Sequence, residues 1–317
     1  MDKTLAITQF IKREAIQMGF SACGVAKVTT ATSEEPFLKK WLAANHQAGM
    51  AYMENHLALR LNPEGLVEGA KTIISVALNY YPPQRQPDGA PRIAYYAYGR
   101  DYHKVIKKKL RVLWQRICQY CEAEGIETPQ AREFTDTAPL LERYWAWQAG
   151  LGFIGKNTQL IIPGKGSYFF LGEIVSTLSL VPDTPIANHC GTCTRCLEAC
   201  PTQALIAPHE LDAKRCLSYL TIEHRGSIPD DLACQMGDRM YGCDTCQLVC
   251  PHNRFAQATV ENEFYPSDKL LALDGLQLHD FTVSAYQEVF KKSAAKRAKY
   301  EGMVRNAKIW LMNNKDK

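Results

Sequence analysis

The stretch HCGTCTRCLEACP (residues 189–201) decides how the rest of this 317-residue chain is read. It holds Cys190-x2-Cys193-x2-Cys196-x3-Cys200-Pro201. A cubane iron–sulfur cluster needs four thiolates converging on its irons. Two-residue gaps let one tight loop present three of them, and the cysteine before the proline reaches across to a neighbouring cluster. A second, incomplete run follows at Cys243-x2-Cys246-x3-Cys250-Pro251. A full quadruplet would need a cysteine at position 240, where Met240 stands.

The missing ligand must come from Cys216 or Cys234. Cys216 is preferred, because its spacing from Cys200 resembles the helix and turn between the two clusters of a ferredoxin. The expected crossed ligation is Cys190, Cys193, Cys196 and Cys250 on one [4Fe–4S] cluster, with Cys200, Cys216, Cys243 and Cys246 on the other. A pair of structural zinc sites is the competing reading, but zinc ribbons rarely place three cysteines at two-residue gaps before Cys-Pro. Cys23, Cys118, Cys121 and Cys234 are left over. Cys118 and Cys121 form a CxxC inside a helical pattern and read as buried small hydrophobes.

Working outward, the chain has three textures. Residues 1–185 read as a mixed α/β (α+β) domain, 186–255 as a ferredoxin-like domain with nine cysteines, and 256–317 as helical and basic. Thr72–Leu78 is a β-branched apolar run and reads as a buried strand. Thr158–Ile162 and Tyr168–Leu180 are further strands about a Pro-Gly-Lys-Gly turn. His103–Glu124 reads as a helix with Ile106, Leu110, Leu113 and Ile117 on one face, ended by Gly125. The first twenty residues read as an amphipathic helix with Ile7, Ile11, Ala15 and Met18 inward, and not as a signal peptide. No apolar run is long enough to span a bilayer. A soluble, cytoplasmic protein is expected, in which twelve cysteines point to metal or catalysis and not to disulfides.

Charge is unevenly placed. Residues 291–317 hold nine Lys/Arg against Glu301 and Asp316, so this stretch is more basic than the chain's net +4. In the first domain no GxGxxG follows a strand and there is no P-loop. What it offers is polar clusters in apolar surroundings: Tyr95–His103, Asp136 between Thr135 and Thr137, and the glycine-rich GLGFIGKNT at 150–158. Each has a plainer reading. Asp101 could be the N-cap of the following helix, Asp136 could cap a Pro139–Ala149 helix or bind Arg143, and the glycines could form an ordinary turn.

Together, YAYGRDYHKVIKKKL (96–110), FTDTAPLLERYWAWQAGLGFIGKNTQLI (134–161), HCGTCTRCLEACPTQAL (189–205), RCLSYLTIEHRGSIP (215–229), GCDTCQLVCPHN (242–253) and KKSAAKRAKYEGMVRN (291–306) resemble the epoxyqueuosine reductase family. The resemblance runs almost end to end. It implies a cobalamin-binding reductase domain, related to reductive dehalogenases, ahead of the two [4Fe–4S] clusters, with a short α-helical, HEAT-like tail. It implies an oxidoreductase that removes the epoxide oxygen of epoxyqueuosine in the tRNA anticodon, giving queuosine. That reaction takes two electrons and two protons. Cobalamin would sit base-off beside the nearer cluster and receive electrons one at a time. Longer members continue into further helical repeats, whereas this chain stops at Lys317, like the shorter ones.

Carried onto this sequence, the resemblance implies Asp136 as general acid, its pKa raised by desolvation. Arg60, Tyr98, Asp136, Asn157, Thr158, Ser167, Tyr168, Ser218 and Asp244 are the expected cobalamin contacts. A tRNA substrate would be met by His224, Arg225, Lys292, Lys296, Arg297, Lys299 and Arg305, with Lys107–Lys109 as a further run. The electron donor is expected to be a flavodoxin or ferredoxin, and the chain a monomer. The competing functions are a cobalamin and iron–sulfur enzyme acting on a small molecule such as an organohalide, and a plain ferredoxin-type carrier. The lack of an export signal and the basic C-terminus oppose the first. The roughly 185 residues ahead of the clusters oppose the second.

Overall fold

Residues 72–79 lie under cover on both faces, as a run of Thr, Ile and Val requires. The computed structural model describes residues 3–315. Its main sheet has four strands, β1 (Ala22–Lys27), β2 (Thr72–Asn79), β3 (Ala131–Phe134) and β4 (Phe169–Ser176), in the order β1-β2-β4-β3 with every pair antiparallel. Successive side chains point to opposite faces. Ile74, Val76, Leu78, Phe170 and Ile174 meet helices α1 (Lys3–Gln17) and α2 (Tyr102–Ala123) on one side. Ile73, Ala77, Leu171 and Val175 meet α3 (Glu142–Gln148) on the other. A Cβ on Gly24 would come within 2.0 Å of the Ala149 carbonyl, so only glycine lets β1 lie this close to the end of α3.

The expected elements recur with shifted ends. Ile7, Ile11 and Ala15 are buried on α1, with Met18 half-buried after it. α2 buries Ile106, Leu110, Leu113 and Ile117; Asp101 caps it through the His103 amide, and Gly125 follows at φ +65°. Cys121 is fully buried in the same core, and Cys118 is half-buried. α3 begins at Glu142 and not at Pro139, and no side chain caps it.

Two of the short helices of the cysteine segment, Arg195–Glu198 and Thr245–Leu248, are each entered from one of the cysteine runs. Arg239–Tyr241 then pairs in parallel with Arg92–Ile93. Helix α4 (Lys299–Asn313) packs on this pair, so Ile93, Ala97, Tyr98, Met240, Tyr241, Met303 and Trp310 share one core. Met240 is fully buried there: the residue standing where a cluster cysteine would belong is a core anchor. This core draws on residues from all three textures of the sequence. Among the described residues no helix is long and apolar enough to cross a membrane.

Candidate active site and redox centre

Cys190, Cys193, Cys196 and Cys250 line one cavity of about 80 Å³, with Lys156, Asn157, His189 and His252 at its edge. The Lys156 amide points at Cys190 Sγ (3.4 Å), and its Nζ donates to the carbonyls of Gly191 (2.8 Å) and Cys193 (2.9 Å). N–H groups and a cation beside sulfur stabilise the reduced form of a cluster. Cys216 has Cys243 and Cys200 as charged neighbours, and Cys246 has Cys243 and Cys216. Burial pushes the Cys216 thiol up to about 11 and Cys246 well above its usual value. Buried sulfurs of this kind become thiolates only under the charge of bound metal, which suits an iron-ligating set. Cys234 lies exposed at the end of the Asp230–Cys234 helix.

Asp136 follows strand β3 at φ +59°, a left-handed backbone that non-glycine residues seldom adopt. It neither caps α3 nor pairs with Arg143, whose guanidinium donates to the Thr158 carbonyl and hydroxyl. Instead the Tyr102 hydroxyl donates to Asp136 Oδ2 at 2.6 Å, and His103 Nε2 lies 3.1 Å from the same oxygen. His103 Nδ1 faces Asp101 Oδ1 at 2.6 Å. The Asp136 amide donates to Glu142 Oε1. The cap of α2 therefore does two jobs, since Asp101 holds both the helix start and the imidazole.

The electrostatics correct one expectation. The His103 hydrogen bond holds the Asp136 carboxyl below its ordinary value, against the opposing effect of desolvation. Burial alone would depress the His103 imidazole, but the hydrogen bonds to Asp101 and Asp136 outweigh it and push it up to about 9. In this state the proton rests on His103 and Asp136 is a carboxylate. The cause is that its nearest neighbours are a cation and a hydroxyl donor, and its side chain is 58% exposed.

The expected cofactor residues divide into two groups. Thr158 (φ +65°) stands beside Arg143, and Ser218 is half-buried on the Leu217–Ile222 helix. Arg60 is buried; one guanidinium nitrogen donates to the Tyr52 carbonyl (3.0 Å) while Nε has no partner among the described residues. The Gln47 carboxamide oxygen is also buried without a partner among them. Tyr52 feels the charges of Glu223, Arg297, Asp136 and Arg60, so these side chains share one neighbourhood.

The second group is spent on packing. Asn157 donates to the Cys246 carbonyl (3.3 Å), Ser167 binds Asn253 and Gln247, and Asp244 accepts the Tyr95 amide (2.8 Å). Tyr98 sits in the core under α4 with its hydroxyl at Gln86, and Tyr168 is 2% exposed among Tyr80, Tyr81 and Tyr95. These five residues join the first domain to the cysteine runs or fill a core.

The basic residues divide in the same way. Lys292, Lys296, Arg297 and Lys299 are exposed. Arg297 makes a bidentate pair with Glu223 at 2.8 and 2.9 Å. Arg225 instead donates to the carbonyls of Ile222, Arg297 and Ala298, and His224 Nε2 lies 2.8 Å from the Ser227 carbonyl. Arg305 has its donors committed to the carbonyls of Leu220, His224 and Gly226 and to Asn306, leaving none for a phosphate. Lys109 is tied to Glu261 (2.8 Å) and the Met18 carbonyl.

Reading the residues alone leaves Tyr102, Glu142 and Glu173 unassigned, and it names His103 without giving it a role. The overlooked signal is a lone glutamate in the apolar strand FFLGEIVS.

Fold and cysteine array together define an iron–sulfur redox protein that also carries a hydrogen-bonded group of titratable side chains around Asp136. Residues 189–253 match the family model described as 4Fe-4S double cluster binding domain, and residues 60–137 match Epoxyqueuosine reductase QueG, DUF1730. The epoxyqueuosine reductase of Cellulophaga algicola is 45% identical over 94% of this chain and 96% of its own length. A solved epoxyqueuosine reductase with an epoxyqueuosine-modified tRNA-Tyr stem loop superposes with a TM-score of 0.86 at 31% identity, covering 98% of this chain and 82% of that one. A Bacillus subtilis epoxyqueuosine reductase whose aspartate catalytic loop is swung out of the active site matches equally, with a TM-score of 0.86, 31% identity and the same coverages. The chain belongs to the epoxyqueuosine reductase family, a family of oxidoreductases, and carries a double [4Fe–4S] domain.

Proposed function

We propose that this chain reduces epoxyqueuosine to queuosine in the anticodon loop of tRNA, with cobalamin held near Asp136 and supplied with electrons by two [4Fe–4S] clusters. The observation that carries the reading is the Asp136 carboxylate on its left-handed loop, paired with Tyr102 and His103 in a chain whose family relatives include one bound to modified tRNA. A catalytic aspartate on a loop that can swing, as in the Bacillus subtilis relative, suits Asp136.

In this reading Cys190, Cys193, Cys196 and Cys250 hold one cluster, and Cys200, Cys216, Cys243 and Cys246 hold the other. The unpartnered Arg60 Nε and Gln47 Oε1 fit a ligand rimmed with amides, as a corrin is. Arg60, Thr158 and Ser218 would hold it. When bound, cobalamin supplies a metal that accepts single electrons and passes them on in a reduction. The chain's own part is proton delivery. Tyr102 orients Asp136. Water exclusion on substrate binding raises the Asp136 carboxyl and draws the His103 proton onto it. Asp136 then protonates the epoxide oxygen as its carbon–oxygen bond breaks, and Asp101 holds the imidazole for reloading.

The three textures then become working regions: 1–185 for catalysis, 186–255 for the clusters, and 256–317 as a HEAT-like basic face. Arg297, Lys296, Lys299 and Lys292 meet tRNA phosphates there. A target base in a loop can be splayed out without opening a long helix. The protein works as a cytoplasmic monomer fed by a flavodoxin or ferredoxin. Anaerobic reconstitution with cobalamin and a reductant, followed by analysis of queuosine in tRNA, tests the reading. Absence of queuosine from a fully loaded enzyme would overturn it.

A further inference from the structure

Glu173 is out of place in its strand. Its neighbours on the same face of β4 are Leu171 and Val175, within the core under α3, and it is fully buried. Across the sheet it lies opposite Ser75 on β2 and Phe134 on β3. Neither Glu173 oxygen has an N–H or O–H partner among the described residues, and the Ser75 hydroxyl and Trp145 indole N–H are likewise buried without one. The charged group that faces Glu173 is another acid, Glu142, the first residue of α3.

Two ionised carboxylates against an apolar core, with no cation between them, are mutually repulsive and poorly solvated. Arg143, next on α3, sends its guanidinium to Thr158. A proton held between the two acids removes the conflict and forms a short charge-assisted O–H···O bond. The other charged or titratable groups around Glu142 are Asp136 on the loop after β3, Tyr102 on α2 and its own neighbour Arg143, whose charge acts on Glu142 and opposes protonation there. Glu142 accepts the amide of Asp136, the residue at φ +59°. A non-glycine residue stays at such an angle only where its surroundings over-determine it.

We infer that Glu142 and Glu173 form a carboxyl–carboxylate pair that holds one proton between them and positions the Asp136 loop. The inference deepens the reading of Asp136 as the reacting acid and rests on it for its functional meaning. Both acids are positioning residues, since neither is placed against substrate. Burial and then the Asp136 charge push Glu142 upward against the pull of Arg143 and the Asp136 amide, and burial and Glu142 push Glu173 well above the usual carboxylate range, which agrees with a retained proton.

The test uses the full chain with its clusters, without cobalamin or tRNA. Infrared spectra should show the C=O stretch of a protonated buried carboxyl below neutral pH, and Glu173→Gln should remove it. Hydrogen exchange should find the Asp136 amide protected. Glu142→Ala should speed that exchange by about tenfold or more. Glu142→Gln should restore protection, because its amide oxygen still accepts. A wild-type chain with no protonated-carboxyl band overturns the shared proton. Wild-type exchange rates in Glu142→Ala overturn the positioning role. If the band and the protection are both present but the loaded enzyme makes no queuosine, the pair stands and only the proposed reaction fails.

Discussion

His103 Nε2 and Asp136 Oδ2 lie 3.1 Å apart, and this contact decides where the proton between them rests. With Asp101 on its other nitrogen, the imidazole is pushed up to about 9 while Asp136 is held down as a carboxylate. His103 binds its proton more tightly folded than unfolded. Its stabilisation is therefore complete below the ordinary value of 6.5 and is lost as pH rises through about 9. The Asp136 contribution is present above its ordinary 3.8 and is lost as pH falls below that. Replacing His103 with Ala should remove on the order of 1–2 kcal/mol at neutral pH, allowing for partial solvent exposure, and flatten the alkaline limb. Urea midpoints measured across that limb check it.

Asp136→Asn should lower kcat by about 10²- to 10⁴-fold, the usual worth of a general acid. The amide can still accept from Tyr102, so the loop keeps its place. The cluster and corrin absorption bands should be unchanged. A variant that turns over normally would remove Asp136 from the chemistry.

Cys216 and Cys234 compete on spacing for the last cluster position, and their surroundings differ. Cys216 is half-buried beside Cys243 and Cys200, whereas Cys234 is exposed. Cys216→Ser should cost the chain up to about half its iron, with altered paramagnetic spectra, since one of two clusters loses a ligand. Cys234→Ser should leave iron content unchanged. Iron analysis after anaerobic purification separates the two.

Arg297 and Arg305 should respond differently to substitution. Charge reversal at Arg297 with Lys299 should weaken tRNA binding and flatten its salt dependence, by roughly 0.7–0.9 in slope for each phosphate that is no longer neutralised. Arg305→Ala should instead destabilise the fold by about 2–3 kcal/mol, because it leaves the carbonyls of Leu220, His224 and Gly226 without their donor. Filter binding across a salt series and thermal melts distinguish the two effects.

Local features are legible in the amino-acid sequence. The Cys-x2-Cys runs, the β-branched strand at 72–78, the apolar face of α2 and the Asp101 cap depend on residues close in the chain, where spacing and periodicity act directly. Asp136 is legible as special only by resemblance. Its spacing suggests a helix cap or an Arg143 pair, and it is neither, because α3 starts later and Thr158 takes the arginine. Tyr98 and Arg305 look like ligand-facing groups and are structural, for burial and filled donors are properties of the folded environment.

Iron binding is written locally into the chain, because three thiols at two-residue gaps need little more than one turn of backbone to converge. The family is likewise legible in motifs spread along the whole chain. The fold brings Cys250 into one cavity with cysteines some sixty positions away, the grouping the crossed spacing leads one to expect; what spacing leaves open, Cys216 against Cys234, is separated by their surroundings in the fold. Where the proton sits is a property of the fold, because a carboxyl's ionisation is set by what surrounds it. His103 reaches Asp136 across 33 residues, and Glu173 faces Glu142 from another element of the fold. Packing, and not spacing, makes those neighbours.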